Sequence, residues 1–262
     1  MKRLIYQVCL GKAKNSKLYQ HCIESVSQYC KKYGIEHIVQ KSPKLRITPD
    51  PFMSNRSKES TANHGGFLPI YEKENAFDLL DEYDQIAIID ADIYIRPDAE
   101  NIFESMSDEY AFGAVIEREM PITQAYALKI LNYSRMQYDS LSKKANFKFN
   151  SLGFEFYNMG MIVLNCSKFK PYLKGQTAKE FIERSEFMDF VNGKGPWKWS
   201  TDQTLLNYFI KKYNVPTQSL HWRWNGLFSA NTKIEECDFV HFFLKDKLPN
   251  QGENVEELMK QI

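Results

Sequence analysis

The run Ile86-Ala87-Ile88-Ile89 is apolar at every position and ends abruptly in Asp90-Ala91-Asp92. It reads as a buried β-strand that delivers two carboxylates, one residue apart, at its C-terminal end. In an open parallel sheet the crevice outside the C-terminal strand ends is where ligands bind. Two acidic groups placed there repel each other unless a cation lies between them. A short set of hard oxygen ligands that leaves coordination positions open suits Mg²⁺ or Mn²⁺ bridged to substrate phosphates. The plainer alternative is that Asp90 and Asp92 only form the turn after the strand.

The rest of the chain reads as alternating strands and helices. Residues 3–10 form a first strand. Asn15 or Ser16 caps a helix running to Tyr33, with Leu18, Cys22, Val26, Tyr29 and Cys30 at helical spacing, and Gly34 ends it in a left-handed conformation. A second strand follows over residues 36–40. This β-α-β opening predicts an α/β fold with a doubly wound, Rossmann-like, mostly parallel sheet flanked by helices. Residues 42–66, rich in Pro, Gly, Ser, Thr and Asn, predict a long mobile loop. Helices are expected over 71–82, from Pro97-Asp98 onward, and over 123–141, 176–191 and 200–212. Further strands are expected over 111–116, within 154–165, and over 215–219 and 238–243. No linker or repeat stands out, so one domain over 1–262 is expected, with a tail from about 250 that includes a small docking helix.

Composition removes several classes of function. Hydrophobic residues make up 43% and aromatics 14%, enough for a large core. Lys and Arg (34) nearly cancel Asp and Glu (33), so no basic field points to nucleic acid. The cysteines at 9, 22, 30, 166 and 237 form no C-x-x-C pair and read as reduced, buried thiols. There is neither a signal peptide nor an apolar run long enough to cross a membrane. A soluble, cytoplasmic protein is the expectation.

The segment Tyr83–Ile95 resembles the DXD segment of GT-A-fold glycosyltransferases. Three further segments extend the resemblance to retaining glycosyltransferases of the family 8 type. Tyr157-Asn158-Met159-Gly160 through Asn165 resembles the family's Phe-Asn-x-Gly segment. Thr201-Asp202-Gln203-Thr204-Leu205-Leu206-Asn207 resembles its Asp-Gln-Asp-x-Leu-Asn segment, with Thr204 at the second Asp. Val240 through Lys247 resembles its His-x-x-Gly-x-x-Lys segment, with Leu244 in place of the usual Gly, and Leu248-Pro249 stands for Pro-Trp. The resemblance implies transfer of a sugar from a nucleotide diphosphate donor, UDP foremost, to the hydroxyl of a glycan, lipid-linked or protein acceptor.

Each candidate residue has a plainer rival. His241 ends a buried strand and joins Asp90 and Asp92 as a metal ligand, a set with one nitrogen that favours Mn²⁺ over Mg²⁺; otherwise it is a satisfied core histidine. Lys247, aligned by the resemblance, meets the diphosphate as a point charge, with Lys245 as an equally placed competitor. Asp202 and Gln203 are the residues implied to touch the donor sugar and the reacting face, yet Ser200-x-x-Gln203 is also a capping-box pattern. Asn158 is a sugar or acceptor contact, or a strand-edge turn residue. Lys73 contacts donor phosphate or sugar, or is one solvated charge in Glu72-Lys73-Glu74. Among Trp197, Trp199, Trp222 and Trp224 an acceptor platform competes with core packing, which is expected for at least two. Retention by front-face attack needs no strong base; an inverting enzyme would use Asp202 or Glu155. The rival functions are a sugar-nucleotide pyrophosphorylase, disfavoured because Leu10-Gly11-Lys12-Ala13-Lys14 lacks a Gly-rich loop, and a non-catalytic sugar- or nucleotide-binding module.

Overall fold

The computed structural model describes residues 1–262, the side chain of Glu59 excepted. In chain order the strands are β1 (Arg3–Val8), β2 (Glu36–Gln40), β3 (Gln85–Ile89), β4 (Ile93–Ile95), β5 (Phe112–Ile116), β6 (Phe149–Asn150), β7 (Gly153–Phe154), β8 (Tyr157–Asn165), β9 (Thr217–Ser219), β10 (Gly226–Leu227) and β11 (Phe239–His241). The α-helices are α1 (Lys17–Tyr33), α2 (Ser57–His64), α3 (Gln124–Tyr138), α4 (Cys166–Leu173), α5 (Ala178–Ile182), α6 (Met188–Val191), α7 (Asp202–Lys212) and α8 (Val255–Met259).

Six strands form the central sheet in the order β2-β1-β3-β8-β5-β9. Within it β2, β1 and β3 are parallel, as are β5 and β9, while β8 runs antiparallel to both neighbours. The sheet is buried on both faces, and successive residues divide between two cores. Leu4, Ile86, Ile88, Ile162 and Leu164 pack on one side. Ile5, Ala87, Ile89, Met161 and Val163 pack on the other. That two-sided burial is why β3 reads as an uninterrupted apolar run.

The reversal of β8 positions the site. Because β8 runs against β3, its first residues, and not its last, lie beside the C-terminal end of β3. Ile89 faces Met161, and the Asp90 N–H donates to the Gly160 carbonyl at 2.7 Å. A second sheet, β10-β11-β4, completes the arrangement. In it β4, which leaves Asp92, pairs antiparallel with β11 so that Ile93 faces His241, and the Phe242 N–H donates to the Asp92 carbonyl at 2.9 Å. His241 thus reaches Asp90, at the end of a central-sheet strand, from the second sheet, the one that Asp92 itself leads into.

Several elements differ from expectation for identifiable reasons. The first strand ends at Val8. The helix expected over 71–82 is a 3₁₀ segment, Pro69–Leu79, with Tyr71 through Phe77 all buried, so no solvent face imposes an amphipathic period. The helix expected after Pro97 is only the turn Ile102–Ser105. The one expected over 176–191 breaks at Arg184, whose extended backbone (φ −54, ψ 137) carries its guanidinium over the rings of Phe181, Phe187 and Phe209. The stretch 42–66 carries α2 and is hydrogen-bonded rather than bare: Glu72 accepts the N–H groups of Lys44, Leu45 and Arg46 at 2.7, 3.1 and 2.7 Å. The C-terminal helix α8 docks on this chain's own α1, with Leu258 buried against Leu18 and Cys22. All five cysteines are free and buried. No helix among the described residues is long and apolar enough to cross a membrane.

Candidate active site

Two cavities meet at the C-terminal end of β3. The larger, about 960 Å³, runs from Asp90 and Asp92 past the turns after β1 and β2, with Lys12, Lys14 and Lys41 on its walls. The smaller, about 320 Å³, lies among Tyr126, Tyr133, Phe243, Trp199, Glu117 and Gln203. Ile70, Lys73 and Asp90 line both, so they mark the junction.

At that junction Asp90, Asp92 and His241 offer three ligand atoms within 4.8 Å of one another. His241 Nε2 is 3.3 Å from Asp92 Oδ1 and 3.8 Å from Asp90 Oδ2. Burial disfavours the imidazolium, but Asp92 and Asp90 outweigh it and raise the ring's pKa above the ordinary histidine value. Two carboxylates and one imidazole are a donor set that fits a divalent cation. The fit depends on Gly160: a Cβ there would lie 2.4 Å from His241 Cε1 and 2.6 Å from Nδ1. Gly160 is not among the glycines with positive φ, so the requirement is for space.

Lys73 is buried, not solvated. Its Nζ lies 3.0 Å from Asp90 Oδ1 and 2.9 Å from Asp202 Oδ2, and donates to the Met159 carbonyl at 2.6 Å. Burial presses the ammonium toward neutrality, yet Asp202 and Asp90 hold its pKa above the ordinary lysine value. Asp202 opens α7 beneath the junction; burial raises its pKa and Lys73 opposes the rise. Beside them Glu74 is 1% exposed, and burial, then Asp202, push its carboxyl pKa well up while Lys73 opposes them.

The capping box at Ser200 does not form. Thr201 caps α7, accepting the Gln203 N–H at 3.2 Å, while the Ser200 hydroxyl donates to the Phe190 carbonyl. Gln203 Oε1 instead accepts the Met159 N–H at 3.2 Å, which places the side chain in the smaller cavity. Asn158 is the second residue of β8, paired with Val115 of β5 beside a shift in register. Its Oδ1 accepts from Gly160 N–H (2.9 Å) and Asn225 Nδ2 (2.8 Å), and its Nδ2 donates to Glu117 (2.8 Å). An asparagine amide makes about four such bonds, so one N–H remains for a ligand.

Lys245 is tied to Ser16 and Glu253 at 3.0 and 3.2 Å, whereas Lys247 is exposed and makes no ion pair among the described residues. Lys247 lies outside the residues lining either cavity, near enough to Lys129 to reinforce the depression of its pKa, of which burial is the larger cause. Leu244, standing at the family's Gly, has φ 57° and ψ 61°, a left-handed conformation that explains why Gly is usual there. Of the tryptophans, Trp224 packs on Phe239 and Trp197 bonds the Gln137 carbonyl, while Trp199, 63% exposed, stands at the mouth of the smaller cavity. Glu155 is bound by Arg118 (3.2 Å) and Lys211 (2.9 Å) outside that cavity.

Sequence reading missed Glu117, Tyr126 and Asn225. Glu117 directly follows the apolar strand β5, the same signal that singles out Asp90 after β3. Burial raises its pKa against hydrogen bonds from Tyr126 and Asn158. No local pattern marks Asn225.

The chain matches the family model described as glycosyl transferase family 8 over residues 4–247. Its fold is similar to a glycosyltransferase involved in the glycosylation of the major capsid of PBCV-1, with 12% identity, a TM-score of 0.56, and 100% of each chain covered. It is also similar to the galactosyltransferase LgtC solved with donor and acceptor sugar analogs, at 14% identity and a TM-score of 0.50, covering 98% of this chain and 94% of that one. The glycosyltransferase GlyE of Streptococcus pneumoniae TIGR4 gives 13% identity and a TM-score of 0.52, covering 94% and 56%. At such identities the likeness is one of fold. No curated protein matches the sequence.

Proposed function

This chain belongs to glycosyl transferase family 8, and from that premise we propose that it moves a sugar from a nucleoside diphosphate donor, UDP foremost, to an acceptor hydroxyl with retention, using a divalent cation, Mn²⁺ ahead of Mg²⁺. The observation that carries the reading is the grouping of Asp90, Asp92 and His241 within 4.8 Å where the two cavities join. A cation held by these three residues supplies charge neutralisation on the leaving diphosphate.

The chain's own residues do the rest. The larger cavity takes the nucleotide, with Lys12, Lys14 and Lys41 offering positive charge along its walls. Lys73, kept protonated between Asp90 and Asp202, is a fixed positive group at the junction and needs no reorganisation during reaction. Asp202 and Gln203 orient the transferred sugar, the remaining N–H of Asn158 meets a hydroxyl, and Lys247 closes on the diphosphate. Tyr126, Tyr133, Phe243 and Trp199 offer ring faces to the acceptor.

The carboxylates lining the smaller cavity support retention by front-face attack. Asp90 and Asp202 pair with Lys73, and Glu117 accepts from Tyr126 (2.6 Å) and Asn158 (2.8 Å). With each of them engaged, the departing phosphate is the group left to take the acceptor proton. The test is incubation with a panel of nucleotide sugars and simple glycosides, with Mn²⁺ or with EDTA, following nucleoside diphosphate release and the anomeric configuration of product by NMR. Undiminished release in EDTA would refute the metal requirement. Formation of nucleoside triphosphate and sugar 1-phosphate when pyrophosphate is added would instead identify a nucleotidyltransferase, and an inverted product would return Asp202 to the role of base.

A further inference from the structure

A metal-binding imidazole needs its coordinating nitrogen bare, and its other nitrogen decides that. His241 Nδ1 lies 3.0 Å from Asn225 Oδ1, deep in the protein, with Asn225 at 0% and His241 at 5% exposure. An amide can present oxygen or nitrogen to a ring, so this contact alone does not say which partner donates. The groups behind it do. Asn225 Nδ2 is 2.8 Å from Asn158 Oδ1, and the same Oδ1 is 2.9 Å from the backbone nitrogen of Gly160. A backbone N–H only donates, so the Asn158 atom facing Gly160 must be its oxygen. That oxygen requires a donor from Asn225, which turns the Asn225 oxygen toward His241. The ring can answer only with Nδ1–H. In the neutral ring Nε2 is therefore the bare nitrogen, and it is Nε2 that faces Asp92 and Asp90 at 3.3 and 3.8 Å. Beyond Asn158 the chain continues through Nδ2 to Glu117 at 2.8 Å, and Tyr126 donates to that carboxylate at 2.6 Å.

We infer that Asn225 is a positioning residue for metal binding: held in one orientation by Asn158 and the Gly160 N–H, it keeps His241 in the Nδ1–H tautomer with Nε2 free for the cation. The inference rests on the metal-dependent reading above. It goes further in assigning a role to a residue that no motif marks and that touches neither cavity. Asn225 accepts the Nδ1 proton much as the carbonyl or carboxylate behind other metal-bound histidines does.

The experiment measures Mn²⁺ affinity of the purified protein by calorimetric titration, alongside the metal-free Tm. Asn225→Leu, which removes the acceptor at similar volume, is expected to weaken binding by about 10–100-fold. Asn225→Asp, which keeps an oxygen opposite Nδ1, is expected to restore most of the affinity even though it loses the donor to Asn158. A purely structural residue would lower Tm in both variants without separating them in affinity. Wild-type Mn²⁺ affinity in folded Asn225→Leu overturns the inference alone, whereas a wild-type protein that binds no Mn²⁺ overturns the metal-dependent reading and the inference with it. If the Leu variant does not fold, long-range ¹H–¹⁵N spectra of the Mg²⁺-saturated wild-type protein decide: a protonated His241 Nδ1 supports the assignment, and a bare Nδ1 refutes it.

Discussion

Gly160→Ala tests the packing that brings the family's Asn-x-Gly segment against the metal site. The new Cβ would stand 2.4 Å from His241 Cε1, 2.6 Å from Nδ1 and 3.0 Å from Asn158 Oδ1. Non-bonded carbons rest at about 3.5–4.0 Å, so the ring must retreat by roughly 1 Å. It cannot do so freely, because Nδ1 is bonded to Asn225 and β11 is paired with β4. Overpacking of this kind costs about 1–3 kcal/mol, and each kcal/mol lowers the Tm of a chain this size by about 2–4 °C. A displacement of about 1 Å in the site costs on the order of 100-fold in turnover. Mn²⁺ affinity, Tm and turnover should therefore all fall. The cause is isolated by repeating the substitution in a His241→Ala background. If the clash is with the ring, the stability cost of Gly160→Ala nearly vanishes there, a coupling energy of about 1–3 kcal/mol. Wild-type metal affinity in Gly160→Ala, or a stability cost undiminished without the imidazole, would refute the reasoning.

Gln203→Glu keeps an oxygen for the Met159 N–H, so Tm should hold, while a new carboxylate at the reacting face cuts turnover at least about tenfold, or about 1.4 kcal/mol; wild-type turnover would return the residue to a structural role. Lys73→Met strands Asp202, 2% exposed, beside Glu74, and should cost about 3–5 kcal/mol in urea unfolding; unchanged stability would mean the ion pair is not held as described. Because Asp92 and Asp90 raise the His241 pKa against the effect of burial, the metal-free protein carries stability from the imidazolium that is fully present below the unfolded histidine pKa and is lost as pH rises through the folded value. A cation on Nε2 displaces the same proton, so Mn²⁺ affinity should fall as pH drops below the folded value; a flat affinity profile across that range would exclude His241 as a ligand.

What the sequence determined by itself was local. Ile86 through Ile89 fall alternately into the two cores, so every position had to be apolar, and the strand and its terminal Asp90-Ala91-Asp92 were legible without coordinates. Gly34 ends α1 at φ 65°, as a left-handed stop requires, because backbone sterics act within a few residues. The helix broken at Arg184 and the 3₁₀ segment around Lys73 escaped that reading, since side chains remote in sequence overrode the local period there. Only the tertiary structure decided that β8 runs antiparallel and lays Gly160 against Asp90, and that β11 pairs with β4 to bring His241 across from another sheet. It alone converted Lys73 from one charge in an acidic run into the buried partner of Asp90 and Asp202. It alone found Asn225, which no local pattern marks. Hydrophobic periodicity records which side of an element is buried; it holds no record of which distant polar group will lie within hydrogen-bonding distance, because that is fixed by the order and direction in which the strands pair.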